Sequence, residues 1–575
     1  MFGLESPSIA RTVYPLRDSV LATVAEIVFL PDPPFPANET CIVCLLVSTA
    51  LGRLAPTVRF RSLGCLARAR GPWRTGAAAT HAWLVDAHAE VHPARALPAQ
   101  VAETHSGAVF FLGDRAYKLK KPVDLGFLDF RTREARLDAC RREVELNRRL
   151  APDVYLGIAD ISGPDGQLCD HLVVMRRMPD DRRLSSMVTA GVPVDDHLDR
   201  LAALLARFHA GADRSPTIDA MAGRDALRRR WEANHDEMAQ FGDIVFDPEV
   251  EEAVISMARR YLAGRRPLFE QRIQDRRACD GHGDLLADDI FCLDDGPRVL
   301  DCLEFDDSLR FGDALADVAF LAMDLERLGR PDLASHFLAR YQEASGDDWP
   351  SSLAHHHVAY RAQVRAKVAA VRWSQGDTAS TTMATRLLAL SYEHVRQARV
   401  RLVLVGGNPG TGKSTVARGL AAPLDALVLR SDEVRKSLAG MDPLAPSPAP
   451  LDAGLYRPAM TGATYTELLE RARTALDLGR TVVLDATWRD PRWRDAAAGV
   501  AVAGVADLVE LRCVAPLDTA LERVRGRAGT DASDATEEVT RALSPGDTTW
   551  STATEIDTSG EAGTAIAGAL AAAQR

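Results

Sequence analysis

The stretch VGGNPGTGKSTVARGLA leaves the chain little freedom around residue 407. An apolar run, RLVLV, enters it and a helical pattern leaves it, while the residues between are spaced as G-x-x-x-x-G-K-S. A strand, a tight glycine-dependent loop and a helix N-terminus, in that order, satisfy this pattern. Such a loop turns successive backbone N–H groups inward, toward the oxygens of a phosphate chain. Gly407, Asn408, Pro409, Gly410, Thr411, Gly412, Lys413, Ser414 and Thr415 are therefore candidate nucleotide-binding residues. In this arrangement Lys413 reaches the β/γ oxygens and takes part in transfer, and the Ser414 hydroxyl holds Mg²⁺.

Strand and helix patterns alternate after this loop: LDALVLRSD, YTELLERARTALDLG, TVVLDAT, ADLVELRCVAP and LDTALERVRGR. That alternation predicts a parallel sheet flanked by helices. Asp432, just past the second strand, stands where a carboxylate can orient or deprotonate an acceptor hydroxyl. Asp485, at the end of another strand, suits the hydration shell of Mg²⁺. Helix capping is the structural alternative for both. Arg523 and Arg527 lie four apart, on one face of a predicted helix, and can close over a transferring phosphate or simply face solvent.

Residues 400–545 resemble the P-loop kinases that include polynucleotide kinases, zeta-toxin-like kinases and gluconate-type kinases. The resemblance rests on Gly407 to Thr415, on Ser431-Asp432 with Arg435, on Asp485-Ala486-Thr487 and on the arginines of LERVRGR. It implies a hydroxyl-phosphorylating enzyme without naming the acceptor.

A second constellation lies upstream. HGDLLADDIF, residues 282–291, follows H-x-D-x-x-x-x-N except that Asp289 replaces the final Asn. In a kinase loop of this kind Asp284 accepts the proton of the substrate hydroxyl and residue 289 binds a metal. A further metal-binding carboxylate is expected on the next hairpin, where Asp301 stands, with Glu304 three residues on. The β-rich lobe should supply a strand lysine paired with a helix glutamate. AYKLKK offers Lys118, with Lys120 as substitute, and REVELNRRL offers Glu143. His282 reads as a loop histidine bonded to backbone rather than as a proton carrier.

Residues 94–375 thereby resemble the aminoglycoside-phosphotransferase-like, or choline-kinase-like, family. YKLKKPVDLGFLDF, REVELNRRLAPDVY, HGDLLADDI and VLDCLEFDDSLRFGDALADVAFLAMDLE carry the likeness. It implies that Asp317 anchors the catalytic loop from a following helix. The departure at Asp289 exchanges a neutral oxygen and an amide donor for a charged oxygen with no donor, which preserves metal binding while adding negative charge beside the phosphates.

The expected architecture is multidomain, α+β and α/β. Residues 1–93 read as a poorly ordered or misassigned extension, 94–395 as a two-lobed kinase-like domain, and 396–575 as a three-layer P-loop domain with a C-terminal tail. Only six of the 69 basic residues are lysine, and four of those lie in the two phosphate stretches, Lys118, Lys120, Lys121 and Lys413. Arginine serves equally on a solvated surface, so lysines retained in an arginine-biased chain mark places that need a compact ammonium.

A net charge of −11 argues against a bulk grip on nucleic acid or anionic membrane. Trp488 and Trp493 are the available base-stacking groups, with packing at a helix start as the alternative reading. The apolar run CIVCLLVSTAL is about half the roughly 20 residues needed to span a bilayer. Cysteines such as Cys292 and Cys302 sit in apolar runs, and Cys41 and Cys44 stand alone as a C-x-x-C pair, so a reducing cytoplasm without a zinc site is expected.

The sequence thus predicts a tandem ATP- and Mg²⁺-dependent phosphotransferase acting on small-molecule hydroxyls at one or both sites. Its rivals are a regulatory ATP-binding protein with a ligand-sensing front domain, and a nucleic-acid or nucleotide end kinase acting through the P-loop. Nucleic-acid partners are not favoured, a membrane partner is not expected, and the oligomeric state is open.

Overall fold

A computed structural model describes residues 26–27, 97–98 and 100–575, apart from 104–105, 125–127, 163–166, 443–444, 446–453, 527–534 and 544–549. Cys41, Cys44 and nearly all of the 1–93 extension lie outside the described residues, as does Arg527. The chain divides into two compact units, residues 1–178 and 179–575. The helical part of the kinase-like fold lies in the same compact unit as the P-loop domain.

In the first unit, β1 (Gln100–Glu103), β2 (Gly107–Leu112), β3 (Arg115–Lys120), β4 (Tyr155–Ser162) and β5 (Leu168–Arg176) form one antiparallel sheet in the order β1-β2-β3-β5-β4. Strand alternation decides what each face carries. Tyr117 joins Phe110, Leu112, Ile161 and Leu172 in an apolar cluster, with Leu119 packed against it. Lys118 and Lys120 therefore share the other face. Helix α1 (Arg133–Asn147) begins at Thr132, whose hydroxyl accepts from the Ala135 amide at 3.1 Å and so satisfies one of the free N–H groups of the first turn.

The second unit opens with helices, among them α2 (Asp195–Gly211), α3 (Pro248–Gly264) and α4 (Arg266–Gln274). Two short antiparallel ladders interrupt them: β6 (Ala278–Asp280) with β9 (Phe311–Asp313), and the hairpin of β7 (Ile290–Leu293) and β8 (Gly296–Val299). Helix α5 (Ala314–Arg327) follows at once, capped by the Asp313 carboxylate at the Leu315 amide, 2.8 Å. Its apolar sequence is buried almost all round, as expected of a core helix. Helices α6 (Pro331–Ser345), α7 (Ser351–Ser374) and α8 (Ser380–Gln397) complete this part.

Strand β10 (Arg401–Gly406) then starts a five-stranded, wholly parallel sheet with β11 (Ala426–Arg430), β12 (Thr481–Asp485), β13 (Asp507–Val514) and β14 (Thr554–Asp557), in the order β11-β12-β10-β13-β14. All six residues of β10 are buried, as a central strand covered on both faces requires. Around it run α9 (Lys413–Ala421), α10 (Ser431–Leu438), α11 (Pro458–Asp477), α12 (Pro491–Ala503), α13 (Leu517–Gly526) and α14 (Ala562–Gln574). The C-terminal stretch, expected to end in a short strand and helix, belongs to the domain: β14 is the edge strand, and Ala565 and Ala569 of α14 sit in the same core as Val403, Val405 and Leu420.

The helical part meets the P-loop domain through specific bonds. Ser352 donates to the Gly479 carbonyl at 2.6 Å, and Arg480 pairs with Asp348 at 2.7 Å. Gly264, at the end of α3, is a required close approach, because a Cβ there would stand 2.7 Å from the Gly504 carbonyl oxygen.

Candidate active sites

The two lysines of β3 meet one carboxylate. Lys118 Nζ lies 2.9 Å from one oxygen of Glu143 and Lys120 Nζ lies 2.6 Å from the other. Glu143, on α1, is fully buried, and Lys120 is nearly so, while Lys118 keeps 13% of its side chain exposed. The two ammonium groups together offset the cost of burying the carboxylate. The choice between Lys118 and Lys120 therefore becomes a division of labour: Lys120 is the enclosed counter-ion, and Lys118 is the one with access.

In the second unit the loop after β6 is held from beneath. Asp317 of α5 accepts from the His282 amide at 2.7 Å and the Gly283 amide at 2.8 Å, and His209 of α2 closes on the same carboxylate at 3.1 Å. Burial opposes the charge on Asp317, but these hydrogen bonds outweigh it and hold the carboxyl well below the usual carboxylate range. This is the anchoring that the family resemblance implies. The His282 ring bonds the Leu300 carbonyl at 3.0 Å, consistent with a loop-fixing histidine.

Asp284 comes next. No described residue gives its carboxylate a hydrogen bond, and burial pushes its pKa up to about 6, with Arg365 and Arg361 opposing the rise and Asp301 adding to it. Asp289 closes the short turn before β7, its amide donating to Leu286 and its carbonyl accepting from Leu300. Asp301, just beyond β8, has left-handed backbone at φ +64°. Such a conformation is uncommon outside glycine and concentrates at functional sites.

In the P-loop domain Gly410 has φ +83°, and a Cβ there would stand 2.3 Å from the Ala520 carbonyl oxygen, so only glycine fits the loop. Thr411 bonds back to Asn408 at 2.8 Å. Lys413 and Ser414 open α9. Asp485 ends β12 nearly fully buried, and its Oδ1 has no hydrogen-bond partner among the described residues. Asp432 pairs with Arg435 in the first turn of α10 at 2.7 Å. Arg523 donates one nitrogen to the Thr558 carbonyl at 2.6 Å, while the other, buried and without a hydrogen-bond partner among the described residues, faces the Gly412 turn.

Four residues of these sites escape a reading of the sequence. Arg430 bridges the Asp485 carboxylate at 3.1 Å and the Ser414 hydroxyl at 3.4 Å. Arg489 donates to Asn408 Oδ1 at 3.0 Å. Thr558, following β14, donates to the Thr411 carbonyl at 2.7 Å and so ties the last strand to the loop. Asp324 of α5 accepts from the Ala287 amide at 2.9 Å. Only Asp324 left a trace, as the second of two acids seven apart in the apolar run DVAFLAMD.

The aromatic residues considered for base stacking are otherwise engaged. Trp488 is buried, with its indole N–H on the Leu484 carbonyl, and Trp493 stacks on Tyr465 at 5.0 Å. Both belong to packing at the start of α12.

Comparison with known proteins agrees with this division of chemistry. Residues 98–355 match the model of the phosphotransferase enzyme family, and residues 402–544 match that of an AAA domain. The uncharacterized proteins Rv2004c of Mycobacterium tuberculosis and Mb2027c of Mycobacterium bovis are each 47% identical over 476 residues, covering 83% of this chain and 95% of the relative. Among solved structures, an aminoglycoside phosphotransferase bound to GDP and kanamycin is 17% identical over 51% of this chain and 93% of its own, with a TM-score of 0.35. A choline/ethanolamine kinase family protein from Mesorhizobium loti is 13% identical over 52% and 92%, with a TM-score of 0.34. A gluconokinase from Sinorhizobium meliloti is 16% identical over 30% and 90%, with a TM-score of 0.23. The chain belongs to the family of these mycobacterial proteins, and it joins a phosphotransferase-type kinase domain to a P-loop domain.

Proposed function

We propose that the protein is a tandem ATP-dependent phosphotransferase that phosphorylates hydroxyl groups of small molecules. The observation that carries this reading is the Asp284 carboxylate: it sits on a loop clamped by Asp317, with a raised pKa and no hydrogen bond from the described residues. A carboxylate so placed is suited to taking a proton from an incoming hydroxyl.

Bound Mg²⁺·ATP supplies the phosphoryl group at either site. In the front part, as the family resemblance implies, Lys118 steadied by Glu143 would bind phosphate oxygens, Asp289 and Asp301 would hold the metal, and Asp284 would accept the hydroxyl proton. At the back site the backbone of residues 407–415 and Lys413 would hold the phosphate chain, and Ser414 and the open oxygen of Asp485 would hold Mg²⁺. The residues fit the ion, since Asp485 Oδ1 is a buried oxygen awaiting a partner and hard cations take carboxylate and hydroxyl oxygens. Asp432 orients or deprotonates the acceptor, and Arg523 neutralises charge on the transferring group, a role the sequence also offers for Arg527.

Steady ATP turnover on four chains tests this reading. Lys413→Ala should remove the back contribution and Asp284→Asn the front one, and the double variant should be inactive. Residual turnover in the double variant equal to that of the unmodified chain would sink the proposal. A second reading, in which the front domain senses a ligand and controls the back one, draws on the direct bonds between helices α3 and α7 and the P-loop domain. It predicts that Lys413→Ala alone abolishes all turnover.

A further inference from the structure

Within residues 179–575, a cleft of about 580 Å³ opens where α3 and α8 meet the starts of β10 and β13. That volume falls within the roughly 300–1,000 Å³ typical of small-molecule sites. Its lining is strongly basic for so acidic a protein: Arg260, Arg265, Arg396 and Arg399 face one acidic side chain, Asp507, with Arg575 also present.

Asp507 is already committed. One of its oxygens pairs with Arg260 and the other with Arg399, each at 2.6 Å. Arg396, about half exposed, pairs with Glu393 at 3.5 Å on its own helix and lies over the Tyr392 ring at 5.8 Å.

Arg265 is the decisive residue. It is 1% exposed, and its terminal nitrogens donate to the carbonyls of Gly264, Gly504 and Val505 at 3.0, 2.7 and 3.2 Å. Among the described residues its Nε has no hydrogen-bond partner, and Asp477 acts on it through charge without forming an ion pair. Carbonyl dipoles satisfy donors without neutralising a full charge, and an unneutralised buried cation is costly. Burial accordingly pushes the Arg265 pKa down.

We infer that this cleft is a binding site for a phosphorylated small molecule of two or more negative charges, held by Arg265 and Arg396 with Arg260 and Arg399. Phosphate oxygens match the fork of a guanidinium, and these four arginine side chains line one cleft. The Tyr261 ring, with the Arg265 guanidinium over it at 5.7 Å, and Tyr392 give the cleft apolar flanks for the rest of the molecule. The inference does not require either phosphotransfer site to be active.

The test is calorimetric titration with inorganic pyrophosphate in EDTA, on full-length Lys413→Ala so that the P-loop contributes least. One pyrophosphate should bind, and Arg265→Met and Arg396→Gln in that background should each weaken it roughly tenfold or more. Should Arg265→Met fail to fold, Arg396→Gln decides alone, because that side chain lies at the surface and joins no interdomain bond. Absence of pyrophosphate binding, or binding that Arg396→Gln leaves unchanged, would overturn the assignment.

Discussion

Asp284 combines two properties that normally conflict, ionisation at neutral pH and an environment that resists charge. Burial raises its pKa to about 6, so the carboxylate is the dominant form above that value and is lost as pH falls through it. Front-site ATP turnover per unit substrate, measured in Lys413→Ala, should therefore fall about tenfold per pH unit below roughly pH 6. A profile flat to pH 5 would show that another group takes the proton. Asp317 acts one step removed: Asp317→Ala leaves two loop amides and His209 without their acceptor. We expect a loss of about 3–5 kcal/mol in denaturant unfolding, together with front-site turnover. Asp289→Asn, by contrast, should keep or raise front-site turnover measured at saturating Mg²⁺, because the metal retains an oxygen ligand and the site loses a surplus charge. A large fall would mean that the carboxylate does something an amide oxygen cannot.

Elements carry the positions of these residues, and here sequence and structure can be compared. Loop 407–415, the HGD loop and the β7–β8 hairpin are all legible, because glycines and alternating apolar residues leave a local imprint. Lys118 and Glu143 were readable as a pair, since strand and helix periodicities each fix a face. What was not legible depends on contacts far apart in the chain. Arg430, Arg489 and Thr558 look like ordinary surface residues until the parallel sheet brings β11, β12 and β14 to one end. The same holds for the packing of α14 on α9, since its alanine-rich sequence suggests a short final helix without showing what covers it. Ala569 is fully buried there, so Ala569→Glu should cost roughly 3 kcal/mol or more, and nucleotide binding at the P-loop should weaken in step with the loss of structure. Unchanged thermal unfolding would place α14 outside the core.

At the scale of the molecule, the helical part that holds the Asp284 loop and Asp317 is compact with the P-loop domain, whereas the β-rich part carrying Lys118 and Glu143 forms its own unit. Domain boundaries drawn from motifs follow chemistry, and compact units follow packing, so the two need not coincide. Bonds such as Ser352 to Gly479 and Arg480 to Asp348 give the Asp284 loop and the P-loop a shared framework. Whether that framework serves two nucleotide sites or one is the central question. Calorimetric binding of a non-hydrolysable ATP analogue with Mg²⁺, on the unmodified chain beside Lys413→Ala, answers it without knowledge of either acceptor. Two nucleotides bound by the unmodified chain and one by the variant is the predicted result; one and none would contradict the account and leave HGDLLADDIF as a kinase-like loop that does not serve ATP.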